Sequence, residues 1–292
     1  MHTTASDGRL APAELVARAA AAGLTTISVT DHDTVAAIPE VTAAATAVGI
    51  RVVPGIEITA IDDGRDVHML GYFFDPASPP LLELLVSQQK LRVDRVREIA
   101  ARLASLNMKV DVDWVLLAAA ARPGSSVGRP QLARELVRAG FVDSVQQAFD
   151  RWLAAGRPAY VERTGPSPAA VVETLHAAGG VASMAHPGVT NRDELIAPLI
   201  AGGLDAIEVY HSDHTPEDVV EYRGKATRLH ALVTGGSDFH GEEPPSADGK
   251  PSRPGRPHRS TFGAVRLPPS DFAALEARAR LRRGFGEAGA QS

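Results

Sequence analysis

Short runs of β-branched and apolar residues recur along the sequence, and most of them lead directly to histidine or carboxylate side chains. Residues 25–30 lead to His32, for example, and residues 181–184 lead to His186. Such short runs predict strands, whereas the longer apolar patterns between them, often closed by glycine, predict helices. This alternation indicates an α/β fold with a parallel sheet, in which polar groups gather at the carboxyl ends of the strands. The predicted strands are residues 25–30, 51–58, 66–74, 181–184, 205–210 and 231–234.

The alternation of strand and helix stops between residues 81 and 155, where no strand is predicted. Residues 88–106 form a long amphipathic pattern that carries several basic side chains, and residues 130–140 and 144–153 predict two further helices. We therefore expect residues 1–80 and 159–292 to be two parts of one barrel. Residues 81–158 would be an all-helical cap, inserted between the two parts over the mouth of the barrel.

The composition limits the ligands and partners. The length of 292 residues suits one barrel-sized domain or two smaller ones, and the net charge of −5 argues against a broad nucleic-acid or membrane surface. We expect no duplex DNA partner and no membrane, whereas a small phosphorylated substrate fits. The chain has no cysteine, so any metal must be held by nitrogen and oxygen ligands. No apolar run reaches roughly 18 residues and no signal peptide is evident, which predicts a cytoplasmic protein.

Five histidines and three carboxylates lie in the opening loop or near the predicted strand ends. Each of them alone is better explained structurally: Asp33, next to His32, could cap a helix, and Asp238 could cap a turn. Together they predict a site for several divalent cations, because imidazole and carboxylate are the ligands of hydrolytic metal sites. The sequence contains no serine-hydrolase elbow, P-loop or dinucleotide fingerprint. The eight residues are His2, Asp7, His32, Glu57, His68, His186, Asp238 and His240.

The segments around these residues resemble the motifs of the PHP (polymerase and histidinol phosphatase) superfamily, and within it the TrpH-like phosphoesterases. The similarity rests on HTTASDG from residue 2, TDHDT from residue 30, GIE from residue 55, AHP from residue 185 and GSDFHG from residue 236. It implies a distorted (β/α)7 barrel that binds three metal ions, in which Mn, Fe or Zn occurs. It also implies hydrolysis of phosphate monoesters by metal-bound hydroxide. The expected substrates are 3′,5′-nucleotide bisphosphates such as adenosine 3′,5′-bisphosphate, or the 5′ end of a short RNA.

The resemblance assigns roles to individual residues. All eight side chains match ligand positions, Glu57 is the expected bridging ligand, and Glu57, Asp238 and His240 are the expected catalytic residues. The start of the chain departs from the family, whose motif is His-x-His after a short strand, because Met1 occupies the middle position. We expect an upstream start, which would supply the first strand and histidine. Loss of a central strand would leave buried ladder groups unpaired at about 1–3 kcal/mol each.

Residues 127–134, within the helical insertion, resemble a family motif in which an arginine binds phosphate. This points to Arg129, whose planar guanidinium suits phosphate oxygens. Arg134 is a second candidate, although it could be an ordinary surface residue. His211 follows a predicted strand and could contact substrate, although a solvated loop is the alternative. Residues 242–260 predict a mobile loop rich in proline and glycine, whose Arg253, Arg256 and Arg259 could hold an RNA end or simply be solvated.

Three other hypotheses remain open. A histidinol-phosphate phosphatase or a phosphodiesterase of the same superfamily would share the metal site and differ in the cap. A nucleotide-binding module without turnover would result if the first histidine had been lost. A metal-dependent amidohydrolase is less well supported, because the sequence offers no candidate for its usual carbamylated lysine. The oligomeric state is not predicted.

Overall fold

A computed structural model of the chain describes residues 1–120, 127–241 and 262–289 and shows a mixed α/β fold. The predicted loop 242–260, with Arg253, Arg256 and Arg259, lies outside the described residues. Within those described ranges, no helix combines the length and the apolar character that a membrane crossing requires. The strands are β1 (Thr26–Ile27), β2 (Arg51–Val52), β3 (Gly55–Asp62), β4 (Arg65–Tyr72), β5 (Val181–Met184), β6 (Ala206–His211) and β7 (Leu232–Gly236).

The helices follow the predicted pattern with shifted boundaries. They are α1 (Pro12–Ala21), α2 (Ile38–Ala47), α3 (Pro79–Ser105), α4 (Val112–Ala120), α5 (Arg129–Arg138), α6 (Val145–Ala148), α7 (Pro168–Ala177), α8 (Pro187–Thr190), α9 (Ile196–Ala201), α10 (Pro216–Arg228) and α11 (Pro269–Gly289). Many of them begin with proline, which fits the first helical turn because its missing N–H would have no helical partner there.

The strands form two sheets. β1 and β2 make a two-stranded parallel sheet, and the other five make a sheet in the order β3-β4-β5-β6-β7. β5, β6 and β7 run parallel, but β4 is antiparallel to both β3 and β5. The prediction of a parallel sheet is therefore wrong for β3 and β4.

An Asp-Gly turn causes the antiparallel pairing. Asp63 and Gly64 both have positive φ, 50° and 69°, as a type I′ hairpin turn requires. A two-residue turn can join only antiparallel neighbours, and this one pairs Asp62 with Arg65 and so sets the register of both strands. The predicted strand 51–58 is divided at Pro54, which has no N–H for a ladder. The described residues therefore contain seven strands, whereas the sequence indicated six.

Helix α3 links two apolar cores. It begins at Pro79 rather than near residue 88, and Leu81 in its first turn is buried in the core between the five-stranded sheet and its helices. Leu103, in its last turn, is buried in a second core built with α5 and the turn Phe149–Leu153. Burial of each such leucine stabilises the fold by about 1.5–3 kcal/mol. One helix thus connects the sheet with the helical segment that follows it, namely α4, α5, α6 and the turn Phe149–Leu153.

Candidate metal centre

The eight predicted ligands come together around the buried carboxylate of Glu57. As the strand-end pattern predicted, His32 follows β1, His186 follows β5, and Asp238 and His240 follow β7. Glu57 lies within β3 instead, and His68 lies within β4. Glu57 pairs with Leu70, which makes His68 its diagonal neighbour across the hairpin. The assignment of the eight residues as metal ligands remains a prediction.

Hydrogen bonds to Asp31 hold the opening loop, which carries His2 and Asp7, in place. The carboxylate of Asp31 accepts from the N–H and the hydroxyl of Thr3, both at 2.7 Å, and from the hydroxyl of Ser6 at 2.6 Å. Gly8 lies directly against the His2 backbone, where a Cβ would collide with the His2 carbonyl. The loop can therefore fold back on itself only with glycine at this position.

His2 is placed between the ends of β1 and β7. Its N–H donates to the carbonyl of Phe239 at 2.8 Å, and the N–H of Thr30 donates to the carbonyl of Met1 at 2.9 Å. A cavity of about 370 Å³, lined by residues of β1 and β7, extends beneath the site and is bounded also by Glu208. The two backbone hydrogen bonds, at His2 and at Met1, bring the imidazole of His2 to the Glu57 carboxylate, where it is only 1% exposed.

Four imidazole rings surround Glu57, which is 2% exposed. Nδ1 of His68 lies 2.6 Å and Nε2 of His186 3.4 Å from Oε1 of Glu57. Nε2 of His2 lies 3.2 Å and Nδ1 of His32 3.9 Å from its other oxygen, Oε2. A carboxylate with histidines at both oxygens has the arrangement that a bridging metal ligand needs.

A second set of contacts joins Asp238, Asp7 and His240 to this group. Oδ1 of Asp238 lies 3.0 Å from Nε2 of His2, and Oδ1 of Asp7 lies 3.2 Å from Nε2 of His240. Nδ1 of His240 lies 2.8 Å from the backbone carbonyl of Asp238 and donates to it, so Nε2 is the ring nitrogen that faces Asp7 and is available to a metal. The rings of His2 and His240 stack at a centroid distance of 4.0 Å.

The donor atoms fit divalent cations. In each of three groups the candidate ligand atoms lie within 4.8 Å of one another. Both ring nitrogens of His2 and Nδ1 of His32 and His68 are buried and, although carboxylate oxygens lie close to several of them, they make no hydrogen bond of suitable geometry within the described residues. A buried polar atom without a partner costs about 1–3 kcal/mol, and a cation would satisfy several of these atoms together. The three groups are His2, Asp7, His32 and His240; His32, Glu57 and His68; and His2, Glu57 and Asp238.

The charges of these side chains depend strongly on one another. Burial lowers the pKa of His2, but the carboxylates of Asp238 and Glu57 outweigh it and raise that pKa to about 9. The pKa of His186 is likewise raised to about 9, because Glu57 outweighs burial. Burial and the neighbouring histidines lower the pKa of His32 to about 3. The histidines hold the pKa of Glu57 well below its usual range although burial opposes this.

Three polar residues near the centre have backbone conformations that L-residues rarely adopt. His186 has φ 25°, Asp238 has φ 46° and Asp33 has φ 53°. Such strain costs of the order of 1–3 kcal/mol and tends to collect at functional sites. From the sequence, Asp33 could cap a helix, but the residue that precedes α2 is Ala37. Oδ1 of Asp33 accepts from the N–H of Thr59 at 2.8 Å, and its carboxylate also pairs with Arg92 of α3.

A cleft of about 820 Å³ separates the centre from the helical segment. Asp7, His32 and His68 form its floor. Its walls carry the predicted substrate residues Arg129 and Arg134. They also carry three arginines without a predicted role, namely Arg92, Arg95 and Arg163. An excess of cationic groups beside candidate metal ligands favours a phosphorylated substrate.

The remaining predicted substrate residue, His211, does not reach the cleft. Its side chain is 0% exposed, and its Nε2 lies 3.7 Å from Oδ2 of Asp238. His211 is the last residue of β6 and faces the interior, so it contacts Asp238 on the side away from the cleft. The sequence signal for Arg92 and Arg95 was their spacing of three residues on one helix, which places them on the same face.

Comparison with known proteins gives consistent matches. A family model described as PHP domain matches residues 1–162. The 5′-3′ exoribonuclease of Haemophilus influenzae is 37% identical over 244 residues, 82% of this chain and 88% of that protein. The 3′,5′-nucleoside bisphosphate phosphatase of Chromobacterium violaceum is 33% identical over 244 residues, 82% of this chain and 85% of that protein. The solved structure of a proposed metal-dependent phosphoesterase from Bifidobacterium adolescentis has a TM-score of 0.76 and 32% identity, covering 95% of this chain and 94% of that one.

Proposed function

The chain belongs to the PHP domain family and is a metal-dependent phosphoesterase, and on that premise we propose that it hydrolyses 3′,5′-nucleotide bisphosphates or the 5′ end of RNA. The observation that carries this proposal is that candidate metal ligands and cationic side chains line the same cleft. Candidate ligands Asp7, His32 and His68 form the floor, and arginines, including Arg129, stand on the walls. A substrate with two phosphates suits this cleft, because one phosphate can lie at the candidate metal ligands and the other at the arginines.

We propose that the centre binds three divalent ions, with Mn, Fe and Zn as candidates. The three groups of candidate ligands share His2, His32 and Glu57, which supports neighbouring ions that are bridged by common residues. Bound ions would supply an activated water and offset the charge of the phosphoryl oxygens. Glu57, Asp238 and His240 would act as ligands at the reacting phosphate, and His211 would position Asp238.

The cleft side chains would bind and orient the substrate. Arg129 contacts two aromatic rings, with its guanidinium carbon 5.8 Å from the ring centroid of Phe149 and 5.6 Å from that of Tyr160. Its Nη1 also donates to the carbonyl of Leu153 at 3.3 Å. A guanidinium fixed in this way can bind two phosphate oxygens with little further loss of freedom. Arg134 would add a second cationic contact from the same wall.

The architecture implied by the resemblance belongs to the same proposal. We regard the two sheets as parts of one distorted (β/α)7 barrel, and residues 81–158 as its cap. The arginines of α3 and α5 support this view, because the helical segment forms one wall of the cleft.

The test is a substrate panel with purified protein and added Mn²⁺. The panel contains adenosine 3′,5′-bisphosphate, a 5′-phosphorylated RNA oligonucleotide, histidinol phosphate and a cyclic phosphodiester. We expect the first two to be the best substrates, and His186→Asn to abolish their turnover. His230→Asn is the matched control, because His230 is exposed and, like His186, has positive φ. Preference for histidinol phosphate or the diester, or full activity of His186→Asn, contradicts the proposal.

A further inference from the structure

Among the phenylalanine, tyrosine and tryptophan side chains that the structure describes, Trp114 alone is exposed, with 51% of its surface accessible. It lies on α4 and lines the cleft together with Arg95, Arg129 and Arg134. The next residue, Val115, is buried in the core of the helical segment, so α4 is anchored while the indole stays outside that core. Core packing therefore does not explain why an indole stands at the wall of a cationic cleft.

The indole packs against the side chain of Arg138. The guanidinium carbon of Arg138 lies 5.1 Å from its ring centroid, and Arg138 donates to both carboxylate oxygens of Glu135 at 2.6 and 2.7 Å. The backbone N–H of Trp114 donates to Oδ1 of Asp111 at 2.9 Å, at the beginning of the helix. A rigid, half-exposed ring presents a flat apolar surface at small entropic cost to a ligand.

The size of the cleft suits a ligand larger than a phosphate group. Its volume of about 820 Å³ lies within the range of small-molecule pockets. A substrate whose phosphates met metal ions at the floor and Arg129 at the wall would have room in the same cleft for a sugar and a base. The wall available to that base carries both cationic side chains and one aromatic ring.

We propose that Trp114 is the nucleobase platform of this cleft, on which the base of a nucleotide bisphosphate, or of the terminal RNA nucleotide, stacks. Because every base has a π face, stacking tolerates any base but discriminates against phosphate esters without one. Trp114 is thus a specificity-determining residue that selects nucleotides as a class. This inference rests on the proposed function, since it defines the substrate of the same site.

The first test compares adenosine 3′,5′-bisphosphate with an abasic deoxyribose 3′,5′-bisphosphate, which keeps both phosphates. Trp114→Ala should raise KM for the adenosine compound about tenfold, with kcat nearly unchanged, and leave KM for the abasic compound unaltered. Trp114→Phe should recover part of the lost affinity. Equal changes in KM for both compounds, or none for either, overturn the inference. Circular dichroism of each variant checks that the fold is retained.

The second test measures binding before turnover. The chain has two tryptophans, so Trp152→Phe leaves Trp114 as the single indole fluorophore. Mn²⁺-loaded protein is mixed with either bisphosphate in a stopped-flow instrument, and before turnover the adenosine compound should quench this fluorescence, whereas the abasic compound should not. No quenching by the adenosine compound, or equal quenching by both compounds, overturns the inference. If neither compound is hydrolysed by the wild-type enzyme, the proposed function fails, and the fluorescence result still decides the role of Trp114.

Discussion

Nδ1 of His68 lies 2.6 Å from Oε1 of Glu57, although the two residues are carried by different strands. They face each other because the turn at Asp63 and Gly64 pairs β3 with β4 and places both side chains on the same side of the hairpin. Backbone hydrogen bonds, rather than a loop, therefore set the separation of two candidate ligands. A site built on paired strands is held more precisely than one built on loops.

Removing the charge of Glu57 should disable the centre. In Glu57→Gln the shape is kept, but the shared carboxylate between the histidines is lost. We expect the metal content to fall and kcat/KM to drop at least about a hundredfold, or about 2.7 kcal/mol of transition-state stabilisation. Elemental analysis and an assay of phosphate release measure the two effects. Glu173→Gln, on the exposed face of α7, is the matched control; equal behaviour of the two variants would falsify the role of Glu57.

The metal-free protein should be most stable near pH 6.5. The pKa of His2 and of His186 in the folded state is raised to about 9. Above pH 6.5 the folded state therefore binds more protons than the unfolded state, and the free energy of unfolding falls as the pH rises. The pKa of His32 is lowered to about 3, so below pH 6.5 the unfolded state takes up the extra proton and the free energy of unfolding falls again. Urea unfolding with chelator at about pH 5, 6.5 and 9 measures this. A free energy of unfolding that still increases up to pH 9 contradicts the assigned charges.

The contribution of Arg129 to substrate binding should depend on the planar shape of its guanidinium as well as on its charge. Arg129→Lys keeps the charge but loses the planar fork and the stacking against Phe149 and Tyr160. KM for adenosine 3′,5′-bisphosphate should rise about tenfold, which corresponds to about 1.4 kcal/mol. Arg97→Lys, on the exposed side of α3, should leave KM unchanged. An unaltered KM in Arg129→Lys means that this arginine does not hold the substrate.

Gly8 should be needed for the opening loop. In Gly8→Ala the new methyl group collides with the backbone of His2, so that His2 and Asp7 must move from their positions at the centre. We expect a loss of about 1–3 kcal/mol in the free energy of unfolding and a lower metal content. Gly284→Ala, where no atom lies within 4 Å of the added Cβ, is the control. Wild-type metal content and stability in Gly8→Ala would show that the loop tolerates a side chain.

The positions of most candidate ligands could be predicted from the sequence. His32, His186 and Asp238 each follow an apolar strand-like run, and the ends of β1, β5 and β7 meet near Glu57 although β1 belongs to the two-stranded sheet. The place of Glu57 and His68 within a hairpin was missed, because the strand pattern is the same for parallel and antiparallel pairing. The turn residues Asp63 and Gly64 carried the missing information.

The composition of the cleft was harder to predict. An amphipathic pattern shows which side of a helix is apolar, but the packing of α3 against both cores decides which arginines meet the centre. Arg92 and Arg95 therefore had no predicted role, although both line the cleft. His211 was expected near substrate because it follows β-type residues, yet its side chain points into the interior towards Asp238.

Dependence on metal tests the central claim most directly. Purified protein is treated with chelator, dialysed, and assayed for phosphate release from adenosine 3′,5′-bisphosphate before and after addition of Mn²⁺. The account predicts that the chelator abolishes activity, that Mn²⁺ restores it in the wild type, and that Asp238→Asn, with a weakened ligand beside His2, does not recover. Hydrolysis that persists after complete removal of metal, or equal recovery of Asp238→Asn, contradicts it.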